Sequence, residues 1–566
     1  MNPAEADTRS HNRSGRQGCL ILAIAVLVLC VVSVCCAGSV ALLWQGTHPI
    51  AELPEIAPVE RLLVPPAGTG TLRLPGSLPP TLDPATVQDA TSAEYVVHLF
   101  SGLVSLNADL EVVPDLATHW DILENGRAYL FHLHQDATFG DGTPLTADDF
   151  RYSIERALSP ALGSPVALGY LGDIVGAEAF SEGEAERLSG LEVVDAHTLR
   201  IEIDAPKAYF LAKLTYPTAF VVDQRQLEGQ DERWMLQPNG SGPFVLAELS
   251  RDRIILERNE RYHGDLPKLQ RVIYELGGGL PITMYENDQL DITWVPASEL
   301  DRVLDPHHPL SRDLRIAPEL STQYLAMHVD RPPFDDPAVR RAILHAIDRD
   351  LLAELVLNNS VKAARGILPP ALIPEGDDPA QAIMTYDPAL ARELLASSRY
   401  AAEGEMPLLV LTTVGTSGHL GGVPRAVLAM LEENLGLEML VEQVEWSDFL
   451  QGLNRERYGM LLSGWIADYP DPQNFVDLLF HSASGQNHIG YDNSEVDALL
   501  EQARIEPDDE RRAALYQEAE LLILADAPWV PLAHGVSYSL VKPWVQGYEA
   551  SGGLYPWLRE IELTGR

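Results

Sequence analysis

Cysteine is almost missing from this chain: Cys19, Cys30, Cys35 and Cys36 are its only four, and none follows in the remainder of the 566 residues. That excludes a disulfide, a thiolate nucleophile and a cysteine metal site from everything after residue 36. Positive charge is scarce as well, with 40 Lys and Arg against 82 Asp and Glu and a formal net charge of −42. Nucleic-acid binding depends on neutralising phosphates with Lys and Arg, so this balance argues against nucleic acid, and also against anionic lipid surfaces and polyanionic substrates. An acidic excess of this size serves solubility and leaves neutral or cationic ligands open. Catalytic signatures are missing too: there is no HExxH, no GxSxG elbow, no GxxxxGK[ST] loop and no calcium loop. Ser241 sits in NGSGP, which reads as a glycine turn, and His307-His308 read as a solvated loop. Acidic residues are so abundant that paired carboxylates for glycoside hydrolysis stay open on spacing alone. The balance favours a binding protein over an enzyme, with no cofactor and no metal indicated.

What is present begins with one apolar run, 19–44, long enough for a helix of about 20 residues to span a bilayer core. Arg9, Arg13 and Arg16 precede it and acidic residues follow, so the Arg-rich side stays in the cytoplasm and the remaining chain is exported. A cleaved signal peptide has a shorter apolar core, and neither Cys35 nor Cys36 is preceded by the small residue that lipoprotein processing favours. We therefore expect one uncleaved N-terminal transmembrane anchor, with cleavage or lipidation as the alternatives. Either route tethers the protein to the outer face of a bacterial membrane. Residues 1–18 form a short cytoplasmic segment. Residues 45–69 carry Pro49, Pro54, Pro58, Pro65 and Pro66, the composition of a semi-rigid spacer.

From about residue 70 the pattern alternates between strands and helices, which predicts α/β lobes. Strands are expected at 71–74, 127–134, 198–203 and 408–413. In the second of these Tyr129, Phe131 and Leu133 share one face, while His132 and His134 share the other. Two histidines at that spacing suit a metal, but no third ligand is evident in the sequence, and an exposed strand face is the preferred reading. Helices are expected at 147–157, with Thr146 as N-cap and Asp149 as its reciprocal partner, and at 336–357, 388–397, 421–435 and 508–524.

The most informative segment is WIADYPDP at 465–472. It holds one carboxylate, Asp468, between aromatic rings and stiff prolines. A partly desolvated carboxylate attracts an ammonium far more strongly than one in bulk water. The competing reading is a turn in which Asp468 is merely the cap.

Several segments, taken in order, resemble the peptide- and nickel-binding family of solute-binding proteins that serve ABC importers: LDPA at 82–85, LFSGLV at 99–104, VPDLATHW at 113–120, FGDGTPLTADDF at 139–150, GSGPF at 240–244, LERNERY at 256–262, PPFDDPAVRRA at 332–342, WIADYPDP at 465–472 and LVKPWVQG at 540–547. The resemblance implies an α/β type II periplasmic-binding fold, two hinged lobes with an inserted extra domain, and a monomer. It would place lobe I at 70–99, 217–317 and 534–566, the inserted domain at 100–216 and lobe II at 318–533. It implies capture of peptides and delivery to an ABC permease complex. Asp468 would pair with the α-amino group, and backbone groups of Gly464 and Ile466 would pair with the peptide main chain. Trp446, Trp465, Tyr324, Gln88 and Ala90 would line the site. The chain departs from some oligopeptide-binding relatives at Leu462, Val166 and Gly535, where they carry a basic residue or tyrosines, so peptide length is not implied. Two other readings remain: a different cargo on the same scaffold (a sugar, a metal chelate or another cation), and a membrane-anchored hydrolase.

Overall fold

The computed structural model describes residues 70–565 except 229–231, 374–378, 405, 417 and 551–555. The expected anchor at 19–44 and the spacer at 45–69 lie outside the described residues. Among those described, no helix is long and apolar enough to cross a membrane.

Three larger sheets organise this part. The first runs in the order Thr71–Pro75, Arg271–Glu275, Arg253–Arg258, Phe244–Leu249; its first pair is parallel and the rest antiparallel. Val272, Ile273 and Tyr274 are consecutive and all buried, so both faces of this sheet are covered. The second sheet is antiparallel, in the order Ala117–Leu123, Ala128–Leu133, Thr198–Glu202, Leu191–Asp195. Tyr129, Phe131 and Leu133 turn inward, as their alternation predicts, and His132 turns outward. Helix Ala147–Leu158 packs beside it through Phe150, Ile154 and Leu158. It starts where expected, because the Thr146 backbone N–H donates to Asp149 Oδ2 at 2.8 Å and fixes the first turn.

The third sheet has seven strands and two of them are long. Leu314–Met327 and Trp529–Val541 pair antiparallel along most of their length, with the ladder interrupted between Pro318 and Thr322. At one end they meet a small apolar cluster with Tyr285 and Leu290. At the other, Leu325, Met327 and Val530 enter a large core. Met460–Ile466 lies on the other side of Leu314–Met327, followed by Leu409–Val414 and Met439–Val444.

One expected helix is two. The stretch 336–357 breaks after Pro337–Ala346 and resumes at Arg349–Leu351, followed by a wider turn, Leu352–Val356. Asp348 starts the second helix by accepting from the Leu351 N–H at 3.0 Å. Arg349 is buried and donates to the carbonyls of Pro531, Met384 and Leu344, each at 2.9 Å. Its guanidinium therefore takes the place where a continuous helix would run, and burial pushes it down to about 10.

Candidate functional site

Strand Met460–Ile466 is paired on one side along its whole length, Ser321↔Ile466 through Met327↔Met460. On its other side the ladder to Leu409–Val414 covers only Met460 and Leu461. Residues 463–466 thus have no strand partner on that side among the described residues, which gives a second extended chain somewhere to hydrogen-bond. A cavity of about 170 Å³ opens against that edge. For scale, an apolar cavity of about 150 Å³ takes up benzene.

All eight residues that sequence reasoning assigns to a site line this cavity: Gln88, Ala90, Tyr324, Trp446, Gly464, Trp465, Ile466 and Asp468. Ala90 opens helix Ala90–Leu99, whose N-cap is Asp89. Tyr324 is buried on the long central strand and stacks on Trp529, with ring centroids 3.3 Å apart. Trp446 opens helix Trp446–Asn454, stacks on Phe449 and packs against the large core, so it is both core and wall. Gly464 has room for a side chain, since an added Cβ would meet nothing nearer than 3.6 Å. The exposure of Gly464 and of Ile466 keeps the strand edge open.

The turn after this strand gives its two acidic residues different partners. Asp471 is the cap: it accepts from the Gln473 N–H at 2.9 Å and pairs with Arg512 through both oxygens, at 3.0 and 2.9 Å. Asp468 does something else. Its Oδ2 accepts from the hydroxyl of Tyr170 and from Asn474 Nδ2 at 3.2 Å. Fully buried Asn474 holds the segment in shape, because its Oδ1 accepts from the Trp465 indole at 3.0 Å and from the Asp468 N–H at 3.1 Å. Burial pushes the Asp468 carboxyl up to about 6, against the lowering effect of the bonds from Tyr170 and Asn474. It is therefore ionised at neutral pH, at a cost that a nearby positive charge would relieve.

The chemistry of the wall is one-sided. Its acidic groups are Asp468 and Asp89, and no Lys or Arg is among the described residues that line it. Asp89 spends one oxygen on the Ser92 N–H at 3.1 Å, and its buried Oδ2 has no hydrogen-bond partner among the described residues. His488 is kept neutral, since burial brings it down to about 4. Leu462 is buried rather than facing the cavity, and at Gly535 a Cβ would stand 2.2 Å from Glu319 Oε2, so a larger residue there would have to displace the Glu319 side chain.

Sequence reasoning missed the groups that close over this wall. Tyr170, from the short helix Ala167–Leu171, stacks on Tyr216 at 3.8 Å and caps Asp468. Gln486 Nε2 donates to the Pro165 carbonyl at 2.9 Å, and Asn454 Nδ2 to Gln88 Oε1 at 2.9 Å. Each joins segments far apart in sequence. The one available hint was a tyrosine in an apolar helix, whose hydroxyl needs a partner once buried.

The family model described as "Bacterial extracellular solute-binding proteins, family 5 Middle" matches residues 111–487. Among curated proteins the chain is similar to the probable deoxycholate-binding periplasmic protein YgiS of Escherichia coli (strain K12), 31% identical, with 83% of this chain and 89% of that protein covered. It is also similar to the periplasmic oligopeptide-binding protein OppA of the same strain, 30% identical, with 84% and 88% covered. Among solved structures it resembles the murein tripeptide binding protein MppA of Escherichia coli, with a TM-score of 0.79, 29% identity, and 88% of this chain and 99% of that one covered. A second structure of MppA, in its unliganded open form, superposes at a TM-score of 0.62 with the same identity, covering 88% of this chain and 98% of that one.

Proposed function

The chain belongs to the family 5 bacterial extracellular solute-binding proteins, and on that footing we propose that it captures peptides by their N-terminal ammonium at Asp468 and delivers them to an ABC importer. The observation that carries this reading is a half-buried carboxylate, pushed up to about 6 and not used as the turn cap, beside a strand edge with no further strand partner among the described residues. An incoming ammonium satisfies the charge, and the free edge at 463–466 takes the peptide main chain as an added strand. Trp446, Trp465 and Tyr324 form apolar walls, Gln88 and Ala90 line the same cavity, and a bridging water can serve varied side chains at small cost. The protein binds and releases its cargo unchanged, as a monomer.

Closure follows from the long strands Leu314–Met327 and Trp529–Val541, with the break in their ladder at Pro318–Thr322 as the hinge. The bonds Tyr170 to Asp468, Asn454 to Gln88 and Gln486 to Pro165 latch the closed form. The lower agreement with the open form of MppA supports such a motion. A ligand drives closure only by its differential affinity for the closed state, about 1.4 kcal/mol for each factor of ten. We place the binding part outside the membrane, tethered through 19–44. One similar protein is named for deoxycholate and another for oligopeptides. A wall with two carboxylates and no cation among its described residues suits a cationic peptide terminus better than an acidic ligand. Native mass spectrometry of material purified from the producing cells tests the proposal. Peptide masses at one per chain are expected, and a bile acid, a sugar or a metal chelate in that place would refute it.

A further inference from the structure

The second sheet carries a side-chain cluster that the peptide site does not use. His119 and Asp121 stand two apart on strand Ala117–Leu123, and so share a face. His132, on the neighbouring strand, lies directly opposite His119 in the ladder. A register shift between Ala117 and His119 places an extra residue, Thr118, just before the pair, the kind of bulge that re-aims side chains. The two imidazoles stack with centroids 4.3 Å apart and planes 11° from parallel, and His132 Nε2 lies 3.0 Å from Asp121 Oδ2. One donor atom from each of the three residues lies within 4.8 Å of the others. His134, the other histidine of that strand face, is engaged elsewhere: its ring lies 5.2 Å from that of His263, which bonds Asp115 at 2.9 Å. His134 thus drops out of the pair that the sequence suggested, and both partners of His132, His119 and Asp121, come from the adjacent strand.

Hydrogen bonding settles which lone pairs face outward. Thr118 Oγ1 is 2.9 Å from the His132 carbonyl oxygen and 2.9 Å from His119 Nδ1. A carbonyl can only accept, so the hydroxyl proton goes to it. His119 Nδ1 must then be the donor to Thr118, which leaves its Nε2 lone pair bare. That is the arrangement in which an outer hydrogen bond fixes the tautomer of a metal-binding histidine. In the metal-free protein His132 Nε2–H donates to Asp121. On coordination that proton passes through water to Nδ1 of the same ring, and Nε2 and the carboxylate both turn to the metal. In a tetrahedral site with bonds of about 2.0–2.1 Å the ligand atoms lie roughly 3.3 Å apart, so the two stacked rings must tilt away from parallel to aim both lone pairs at one ion, a rotation open to side chains near the surface.

We propose that His119, Asp121 and His132 form a site for a divalent late transition metal, with Zn²⁺ its simplest occupant and a solvent-facing fourth position. Two imidazole nitrogens with one carboxylate suit Zn²⁺, Ni²⁺ or Cu²⁺, whereas Ca²⁺ and Mg²⁺ require oxygen-rich shells. The test is calorimetric titration of the untagged full-length chain with zinc chloride, checked by circular dichroism melting. One Zn²⁺ per chain with micromolar affinity is expected. His119→Ala and His132→Ala should each weaken it by more than about tenfold, and Thr118→Val, which frees the tautomer without removing a ligand, by about tenfold. Magnesium should not compete. No uptake by the wild type up to about 1 mM Zn²⁺, or wild-type affinity in both histidine variants, overturns the assignment.

Discussion

Asp468→Asn separates the binding role of this residue from any structural one, because the two predict opposite signs. In the empty protein the carboxyl is raised from 3.8 to about 6 by burial. The folded state therefore holds this proton more tightly than the unfolded chain. The contribution of Asp468 to stability is most favourable below about pH 4, falls as pH rises towards 6, and is a penalty above that. At about 1.36 kcal/mol for each pKa unit the full penalty is close to 3 kcal/mol, and partial exposure to the cavity reduces it to roughly 1–2 kcal/mol. Asparagine keeps an oxygen to accept from Tyr170 and loses the charge. The empty variant should then melt at the same temperature as wild type or higher at pH 7.5. Binding moves the other way: removing one member of a buried charge pair costs about 2–5 kcal/mol, so affinity for tri-alanine should fall at least about thirtyfold in calorimetry. N-acetyl-tri-alanine should bind the wild type as poorly as tri-alanine binds the variant. Below pH 6 wild-type affinity should drop about tenfold per unit, with protons released on binding, while the variant should show no such slope. Equal affinity in wild type and variant, or an unaltered pH slope in the variant, would refute the reasoning.

Two further outcomes test the surroundings of that carboxylate. Tyr170→Phe removes a hydrogen bond that lowers the Asp468 pKa, so the midpoint of the affinity profile should move above about 6. The same variant loses a latch, and small-angle scattering should show a more open empty protein. Asp89→Asn should reduce affinity for a lysine-containing tripeptide about tenfold more than for tri-alanine, because Asp89 is the second carboxylate among the residues that line the cavity. An equal loss for both peptides, measured by calorimetry, would assign Asp89 to helix capping alone.

Local signals in the sequence were strong wherever one element was decided by its own residues. Thr146 and Asp149 fixed the start of a helix, and the alternation Tyr129, Phe131, Leu133 fixed the face of a strand, because both effects act within a few residues. The break within 336–357 was hidden for the opposite reason. The local periodicity is helical throughout, but Arg349 takes carbonyl partners from distant Pro531 and Met384 as well as from Leu344 just before the break, and those distant bonds pull the chain out of the helix.

The candidate site divides along the same line. Its strand edge and its carboxylate belong to one short segment, so both could be named from WIADYPDP. That segment offers two aspartates three residues apart, and nothing local says which one caps. Arg512, distant in sequence, claims Asp471 with both nitrogens of its fork, and Tyr170, on another part of the fold, claims Asp468. Once the first pair forms, Asp471 is neutralised and fixed outside the cavity wall, and Asp468 remains as the acid free to exchange a tyrosine hydroxyl for a ligand. The hydroxyl is a weak partner for a carboxylate held up to about 6, and an ammonium is a strong one. On the proposed reading, then, the Tyr170 hydroxyl holds the place on Asp468 that the ammonium of a peptide would take.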